Sequence, residues 1–336
     1  MGKSVATGAK ELRMASFFSG IGGFDLGFEQ AGFEIVFQCE IDDFCIGVLE
    51  RHWPHVLRRK DIREVNNDEI PYAEVWTAGF PCQDVSVARM GPRAGLKGKR
   101  SGLFHEFARL IDEGRPRVVV IENVPGLLSS HGGRDFQIVI RTLAELGYCV
   151  GWRVFNSKDF GVPQYRKRVY LVGCYRDWRT VAEILFEPQR STRNTKKKRQ
   201  DGKEPVSPFK ESFGDPRKGP IVQGLAYCLY ACSARHTGTD WSRTYVSYPE
   251  GRVRRLTPGE CEEIQGFPMD WTRLEMDGGD TAEEEVDTLR YTCLGNAVTV
   301  PVAEWIARRI AKRVLPNETQ QERVVEARHR EPLGVS

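Results

Sequence analysis

The sequence predicts an α/β fold, a doubly wound and mostly parallel sheet with a smaller second domain. Three observations carry that prediction. Short β-rich runs alternate with amphipathic stretches through the first half of the 336 residues, the pattern of a parallel sheet covered by helices. A glycine turn, Phe18-Ser19-Gly20-Ile21-Gly22-Gly23, leads from the first run into a helix. Val118–Ile121 is a continuous apolar run suited to a strand buried on both faces.

Along the chain, Met14–Phe18 reads as the first strand and a helix begins near Phe24. Ile35–Cys39, Val75–Ala78 and Val118–Ile121 follow as strands, then Arg153–Phe155 and Val169–Gly173 toward the sheet's far side. From Arg176 the pattern changes. Residues 190–218 hold ten Lys and Arg against four Asp and Glu, a balance of +6, with the low hydrophobicity of a linker. Ordered sequence returns at Ile221–Ser233. Thr257-Pro258-Gly259-Glu260 is a helix start, with an N-cap Thr, Pro at the first helical position and Glu completing a capping box, and Gly266 stops that helix. Residues 272–290, at −5, read as an exposed insertion, Pro301–Val314 as a last helix, and the chain after Pro316 as a polar tail. The predicted organisation is one domain over 1–185, completed by 288–316, a second over 186–287 that includes the helix near 258–266, and a tail over 317–336.

Composition excludes several classes. With 40% hydrophobic and 28% charged residues the chain is an ordinary globular protein, and its net charge of +3 rules out a polycation. No apolar run approaches the roughly 18 residues of a membrane span, and the first residues lack the apolar stretch of a secretory signal. Ala6 stands where a myristoylation motif after Gly2 wants Ser or Thr. Nine scattered cysteines fit a reducing cytoplasm. Cys228, Cys232 and His236 have helical spacing but no evident fourth ligand, so buried thiols are the better reading and no metal is expected.

In doubly wound sheets ligands sit at the carboxyl ends of the strands. The first strand here is followed by the glycine turn and the second by Glu40, an acid placed to hold ribose hydroxyls. The third is followed by Gly79-Phe80-Pro81-Cys82-Gln83, the fourth by Glu122-Asn123-Val124. Each piece is weak alone. The dinucleotide spacing G-x-G-x-x-G fails at Asp25, which counts against hydride transfer. A lone cysteine is more often a buried hydrophobe than a nucleophile, but Cys82 follows Gly-Phe-Pro at a strand end. The conjunction offers a nucleoside cradle, a thiol and a carboxylate.

These residues resemble the cytosine-C5 DNA methyltransferase family, in the family's order and along most of the chain. FFSGIGGFDLGFEQAGF is similar to its S-adenosylmethionine loop, Cys39-Glu40-Ile41-Asp42 to its ribose segment and Asp61-Ile62 to its adenine contact. GFPCQDVS resembles the nucleophile motif, ENV the glutamate motif and Gln164-Tyr165-Arg166-Lys167-Arg168 the Q-x-R-x-R motif. RRLTPGECEEIQGFP and LGNAVTVPV resemble the two late motifs. Ser16 departs from the Asp common at the end of the first strand, and Ile41 replaces a larger side chain. The resemblance implies a Rossmann-like class I methyltransferase fold and S-adenosylmethionine as methyl donor. It carries the donor pocket onto Phe18, Gly20, Ile21, Gly22, Gly23, Glu40, Ile41, Asp61, Ile62, Pro81, Leu103, Asn296 and Ala297. For Phe18, core packing is nearly as good a reading as stacking on adenine. The implied catalytic residues are Cys82, Glu122, Arg166 and Arg168, with Arg166 at the carbonyl oxygen of the base.

Carbon 5 of cytosine is a poor nucleophile until a thiolate adds to carbon 6 and makes it an enamine carbon, which can attack a sulfonium methyl. Cys82 is the expected nucleophile, its thiolate favoured by nearby Arg166 and Arg168. Glu122, with a pKa raised in a dry site, meets N3 of the ring. A base inside a duplex must be flipped out. Residues 83–102, at +4 with four glycines, suit a closing loop on duplex DNA. The expected DNA contacts are Gln83, Ser86, Arg89, Arg93, Lys97, Lys99 and Arg100, the run Lys196, Lys197, Lys198 and Arg199, and Arg235 and Arg243. The implied setting is cytoplasmic, a monomer with a restriction or phage-defence partner or acting alone. Two alternatives are a transfer-RNA methylating branch, whose Cys-Phe-Thr signature does not occur here, and a silent DNA-binding relative, disfavoured by the intact catalytic residues.

Overall fold

The computed structural model describes residues 12–81, 102–186, 221–222, 225–229, 244–250, 252–274 and 280–314. β1 (Leu12–Phe17) runs into α1 (Gly23–Gln30), β2 (Phe33–Cys39), α2 (Asp43–His52), β3 (Leu57–Arg59) and β4 (Val75–Ala78). Beyond residues 82–101 come α3 (Leu103–Gly114), β5 (Val118–Asn123), α4 (Arg134–Glu145), β6 (Tyr148–Asn156), β7 (Gln164–Tyr165), β8 (Lys167–Tyr175) and α5 (Trp178–Leu185). The remainder supplies β9 (Ile221–Val222), β10 (Ala226–Tyr227), β11 (Tyr245–Ser247), β12 (Val253–Arg255), α6 (Pro258–Gln265), α7 (Asp280–Asn296) and α8 (Val300–Val314).

Seven strands form one sheet in the order β3-β2-β1-β4-β5-β8-β6. The first five are mutually parallel, and β8 and β6 are antiparallel to their neighbours. The sheet is therefore α/β, mostly parallel and doubly wound, as the alternation of runs predicts. The chain leaves β1 toward one edge and returns through β4 to the other side, which opens a crevice at the carboxyl ends of β1 and β4. The two-residue period of β5 feeds both faces: Val119 and Ile121 join one core, Val118 and Val120 the other. On the first face Phe17 packs against Phe37, Trp76 and Phe107 with ring centroids 5.1–5.5 Å apart. On the second, Val302, Ile306 and Ile310 of α8 pack with Phe24 and Phe28 of α1. No helix among the described residues is long and apolar enough to cross a membrane.

Several local expectations change. The first strand stops at Phe17, because Phe18 turns into the left-handed region (φ 54°). β6 extends well beyond Arg153–Phe155, as an edge strand whose Trp152 and Val154 face solvent. β3, the charged Leu57-Arg58-Arg59, is a strand through its pairing with β2 and not through any apolar pattern. The Thr257 capping box forms as read, with Glu260 N donating to Thr257 Oγ1 (3.3 Å) and Thr257 N to Glu260 Oε2 (2.7 Å), and Gly266 ends α6 at φ 85°. Residues 272–290 are not simply an exposed insertion. Thr272 is fully buried, α7 begins at Asp280, and Arg290 is buried against the carboxylate of Glu262 at 3.0 Å. The acids that suggested solvent exposure include no signal for that pairing, made between two helices. α6, assigned to the second domain, is tied to β7 and to α7: Gln164 Nε2 donates to Ile264 O (3.2 Å) and Gln265 Nε2 to Leu294 O (2.8 Å).

Candidate active site

The carboxyl ends of β1, β2, β4 and β5 open on a cavity of about 380 Å³, closed on one side by the C-terminal end of α7. Two halves meet in it. In the first, Gly20 at φ 56° donates its N–H to Glu40 Oε2 (2.7 Å), while Ile41 N and Asp42 N donate to Glu40 Oε1 (2.8 and 2.9 Å). One carboxylate thus shapes both the glycine turn and the start of α2. Burial raises the Glu40 pKa, and the three backbone donors oppose that rise. A side chain at Gly20 would meet open space, so the turn leaves room on its cavity side. Phe18, Ile41, Asp61, Ile62, Pro81, Leu103, Asn296 and Ala297 line the same cavity. The Asp61 carboxylate is held by Arg63 (Nε to Oδ1 2.9 Å), which lowers its pKa. Phe18 meets Phe80 edge-on with centroids 6.5 Å apart.

Three residues of the expected donor pocket are elsewhere. Ile21 is 1% exposed in a core cluster, and its carbonyl accepts from Trp271 Nε1 (2.8 Å). A Cβ at Gly22 would stand 2.5 Å from the Trp53 ring, and one at Gly23 2.5 Å from the Val298 carbonyl oxygen. These two glycines permit close packing of α1 against its neighbours, and none of the three lines the cavity. Asp25, which breaks the dinucleotide spacing, has a structural use: Ser16 Oγ donates to its Oδ2 (3.0 Å) and Gln38 Nε2 to its Oδ1 (2.8 Å). The carboxylate ties β1 to β2, and burial pushes its pKa up to about 6. Ser16, the departure from the family pattern, thus faces Asp25 below the turn.

The second half lies past β4 and β5. Asn123 Nδ2 donates to Phe80 O (2.9 Å) and Asn123 Oδ1 accepts from Val124 N (2.9 Å), fixing the segment that runs to Pro81. Glu122 is buried at 7% exposure. Arg168 Nε stands 3.1 Å from its Oε1, near enough for a charge pair, yet that oxygen takes no hydrogen bond from any described residue. Burial raises the Glu122 pKa against the opposing pull of Arg168 and Arg166.

The two arginines separate. Arg168 lines the cavity. Arg166, 1% exposed, does not; it donates to the carbonyls of Leu229 (3.0 Å), Gly295 (3.0 Å) and Ala297 (2.8 Å). Its guanidinium binds protein backbone and is not on the cavity lining, where the resemblance would put it; Arg168 is the arginine of the motif that the cavity exposes. Gln164 is likewise buried, donating to α6. The motif is therefore a clamp on the late motifs that ends in one cavity-facing cation. Sequence reading also missed Lys60, Cys45, Thr292 and Cys293, all on the cavity wall; none belongs to a patterned run, so their only signal is their place near strand and helix ends.

Cys82, Gln83, Ser86, Arg89, Arg93, Lys97, Lys99 and Arg100 lie outside the described residues, as do Lys196, Lys197, Lys198, Arg199, Arg235 and Arg243. Pro81, which immediately precedes Cys82, lines the cavity. Cys228 is described and accepts from Arg166 Nη1 (3.6 Å); Cys232 and His236 are outside.

The family model for C-5 cytosine-specific DNA methylase matches residues 12–213 and 189–312. The Type II methyltransferase M.Bsp6I of Bacillus sp. (strain RFL6) is 32% identical over 327 residues, spanning 90% of this chain and all of that protein. M.NgoBI of Neisseria gonorrhoeae, also a Type II methyltransferase, is 33% identical over 315 residues, 89% of this chain and 92% of its own length. Among solved structures, a Spodoptera frugiperda DNMT2 mutant superimposes with TM-score 0.67 at 17% identity, covering 89% of this chain and 99% of that one. S. pombe Dnmt2 gives TM-score 0.65 at 17% identity, over 90% and 99%. At such identity the superpositions establish the fold.

Proposed function

The chain belongs to the C-5 cytosine-specific DNA methylase family and is a DNA cytosine-5 methyltransferase, and from that membership we propose that it methylates a flipped-out cytosine of a specific duplex sequence through a covalent Cys82 adduct. The observation that carries this reading is the buried Glu122 carboxyl, its Oε1 without a hydrogen bond among the described residues, beside Arg168 at the strand end next to the one that leads to Cys82.

The cavity fits S-adenosylmethionine. Open space beside Gly20 admits a ligand close to backbone, and Glu40 Oε2, used once by Gly20, retains an acceptor position for a ribose hydroxyl. Phe18, Ile41, Asp61, Ile62 and Asn296 would complete the donor's surroundings. When bound, that donor supplies an electrophilic methyl on a sulfonium. The chain's own residues prepare the acceptor. The Cys82 thiolate adds to carbon 6 of the cytosine, and electron density moves toward carbon 5 and N3. Glu122, whose pKa burial raises, donates to N3. Arg168 takes the position near the base that the motif offers, while Arg166 holds the backbone at Gly295 and Ala297 beneath it. Carbon 5 accepts the methyl with a thioether as leaving group; loss of the carbon 5 proton to solvent, return of the N3 proton to Glu122 and elimination then regenerate the Cys82 thiolate. The basic residues from Arg89 to Arg100 and Lys196–Arg199, with Arg235 and Arg243, would meet phosphates. The curated relatives are named as Type II methyltransferases, and the proposed setting is a restriction–modification pair in the cytoplasm, with this chain acting as a monomer. The proposed division keeps a catalytic body over 1–185 and 288–316, with target recognition between them.

Sequencing 5-methylcytosine across the genome of a methylation-free host expressing the chain identifies the target. A duplex of that sequence with 5-fluorocytosine at the methylated position should then form a denaturation-resistant protein–DNA adduct in the presence of donor. Cys82→Ser should lose the adduct and turnover while retaining donor binding. A wild-type protein that methylates without trapping, or a serine variant with substantial turnover, overturns the covalent mechanism.

A further inference from the structure

The cavity wall also carries a group of side chains that the proposed methyl transfer does not use. Cys45 is in the first turn of α2 and Cys293 in the last turn of α7, and their sulfurs are 3.1 Å apart although 248 residues separate them in sequence. Both thiols are buried and both line the cavity. The carboxylate of Asp42, also on the lining, joins them, and one ligand atom from each of the three lies within 4.8 Å of the others.

We propose that Asp42, Cys45 and Cys293 form a site for a thiophilic divalent cation, zinc above all, built into the wall of the donor cavity, so that metal and methyl donor exclude one another. Two thiolates and a carboxylate are a zinc donor set, and three protein ligands leave a fourth position open. All three residues line one cavity, so the open position falls within it. At a zinc–sulfur distance of about 2.3 Å and tetrahedral angles the two sulfurs would stand roughly 3.8 Å apart. The pair needs only a small opening from 3.1 Å, within the reach of side-chain torsions. Preorganisation is visible in the third ligand. Asp42 Oδ1 caps α2 by accepting from Cys45 N (2.9 Å), which fixes the carboxylate relative to the thiol beside it and leaves Oδ2 for the ion. Binding conserves charge by releasing one proton from each thiol to the buffer. A disulfide, by contrast, requires the sulfurs to close to about 2.05 Å and an oxidant to take two electrons. The sequence expectation of no metal rests on Cys228, Cys232 and His236; Cys45 and Cys293 share no local spacing that would have raised the question.

The exclusion of donor rests on the reading of this cavity as the donor site; the metal site itself does not. Reduced, metal-free full-length protein titrated with Cd²⁺ should show a thiolate-to-cadmium absorbance that includes one equivalent absent from both Cys45→Ala and Cys293→Ala. Cys174→Ala should keep it, and Asp42→Asn should weaken that equivalent about tenfold. X-ray absorption of the zinc-loaded wild type, independent of any variant's folding, should include a zinc bound by two sulfurs with oxygen neighbours that is lost in Cys45→Ala. Zn²⁺ should raise the KM for S-adenosylmethionine with kcat unchanged, and a chelator should reverse the effect. Equal cadmium stoichiometry in wild type and both alanine variants overturns the site, as does a Cys45–Cys293 disulfide in air with no metal bound after reduction. Metal binding without competition overturns the exclusion, and direct donor-binding measurements on metal-free protein then tell whether the donor reading fails with it.

Discussion

Two carboxylates, Glu40 half-buried and Glu122 buried, face one cavity and are treated in opposite ways. Glu40, at the end of β2, accepts from three backbone N–H groups. Glu122, at the end of β5, has an oxygen that accepts from no described residue although a guanidinium stands 3.1 Å away. Burial raises the pKa of both. At Glu40 the amides compensate much of the desolvation, and the carboxylate serves the fold as well as any ligand. At Glu122 the compensation is incomplete, so the group is held ready for a partner that arrives later. On the proposed function, the donor half of the cavity is preformed and the base half is left for its substrate to complete.

Substitutions at these positions can break or sharpen that comparison. The largest effect belongs to Glu122→Gln, which removes the proton donor while keeping the shape: kcat should fall by about 10²–10⁴, with S-adenosylhomocysteine affinity unchanged in calorimetry. Because only the acid form donates, wild-type activity should also decline as pH rises through this raised pKa. A weakened product affinity in Glu122→Gln would show that the two halves are not separate. Arg166→Lys comes next, since a lysine cannot span three carbonyls; thermal or urea unfolding should register a loss of about 3 kcal/mol, whereas Arg168→Lys should lower kcat and leave stability nearly intact. Reversal of that pattern returns the substrate role to Arg166. Glu40→Gln should raise the donor KM roughly 10- to 100-fold through one lost charge-assisted hydrogen bond, with a far smaller change in kcat. A kcat loss as large as that of Glu122→Gln would erase the contrast.

The smallest effect concerns Asp25, whose pKa rises from an ordinary 3.8 to about 6 on burial. A carboxyl whose folded pKa is raised contributes stability in full below its unfolded value, and that contribution is lost as pH rises through the folded value. Between about pH 5 and 7 the wild type should therefore lose on the order of 1 kcal/mol relative to Asp25→Asn. Parallel stability–pH curves for the two proteins would exclude titration of this group.

Much of the site is legible in the residues. Parallel strands bring their carboxyl ends together, so the glycine turn, Glu40, Pro81 and Glu122 converge once the strands are read. The capping box at Thr257 is legible because it needs only four consecutive residues. Reading fails where a contact is made across the fold. A two-residue strand period would put Gln164, Arg166 and Arg168 on one side. Arg166, however, sits between β7 and β8, where the alternation is interrupted, and its neighbours are the carbonyls of 229, 295 and 297. Gly22 and Gly23 look like ligand-facing glycines until Trp53 and Val298 are found against them.

The sequence by itself determined the α/β class, the family and the identity of the groups at the strand ends, because these depend on local periodicity and on residues adjacent in the chain. Only the tertiary structure decided which arginine faces the cavity, which glycines serve packing, that Asp25 locks β1 to β2, and that Cys45 meets Cys293. Each of those depends on contacts between segments distant in sequence, and side-chain direction and burial there are set by close packing of the whole fold and not by the local pattern.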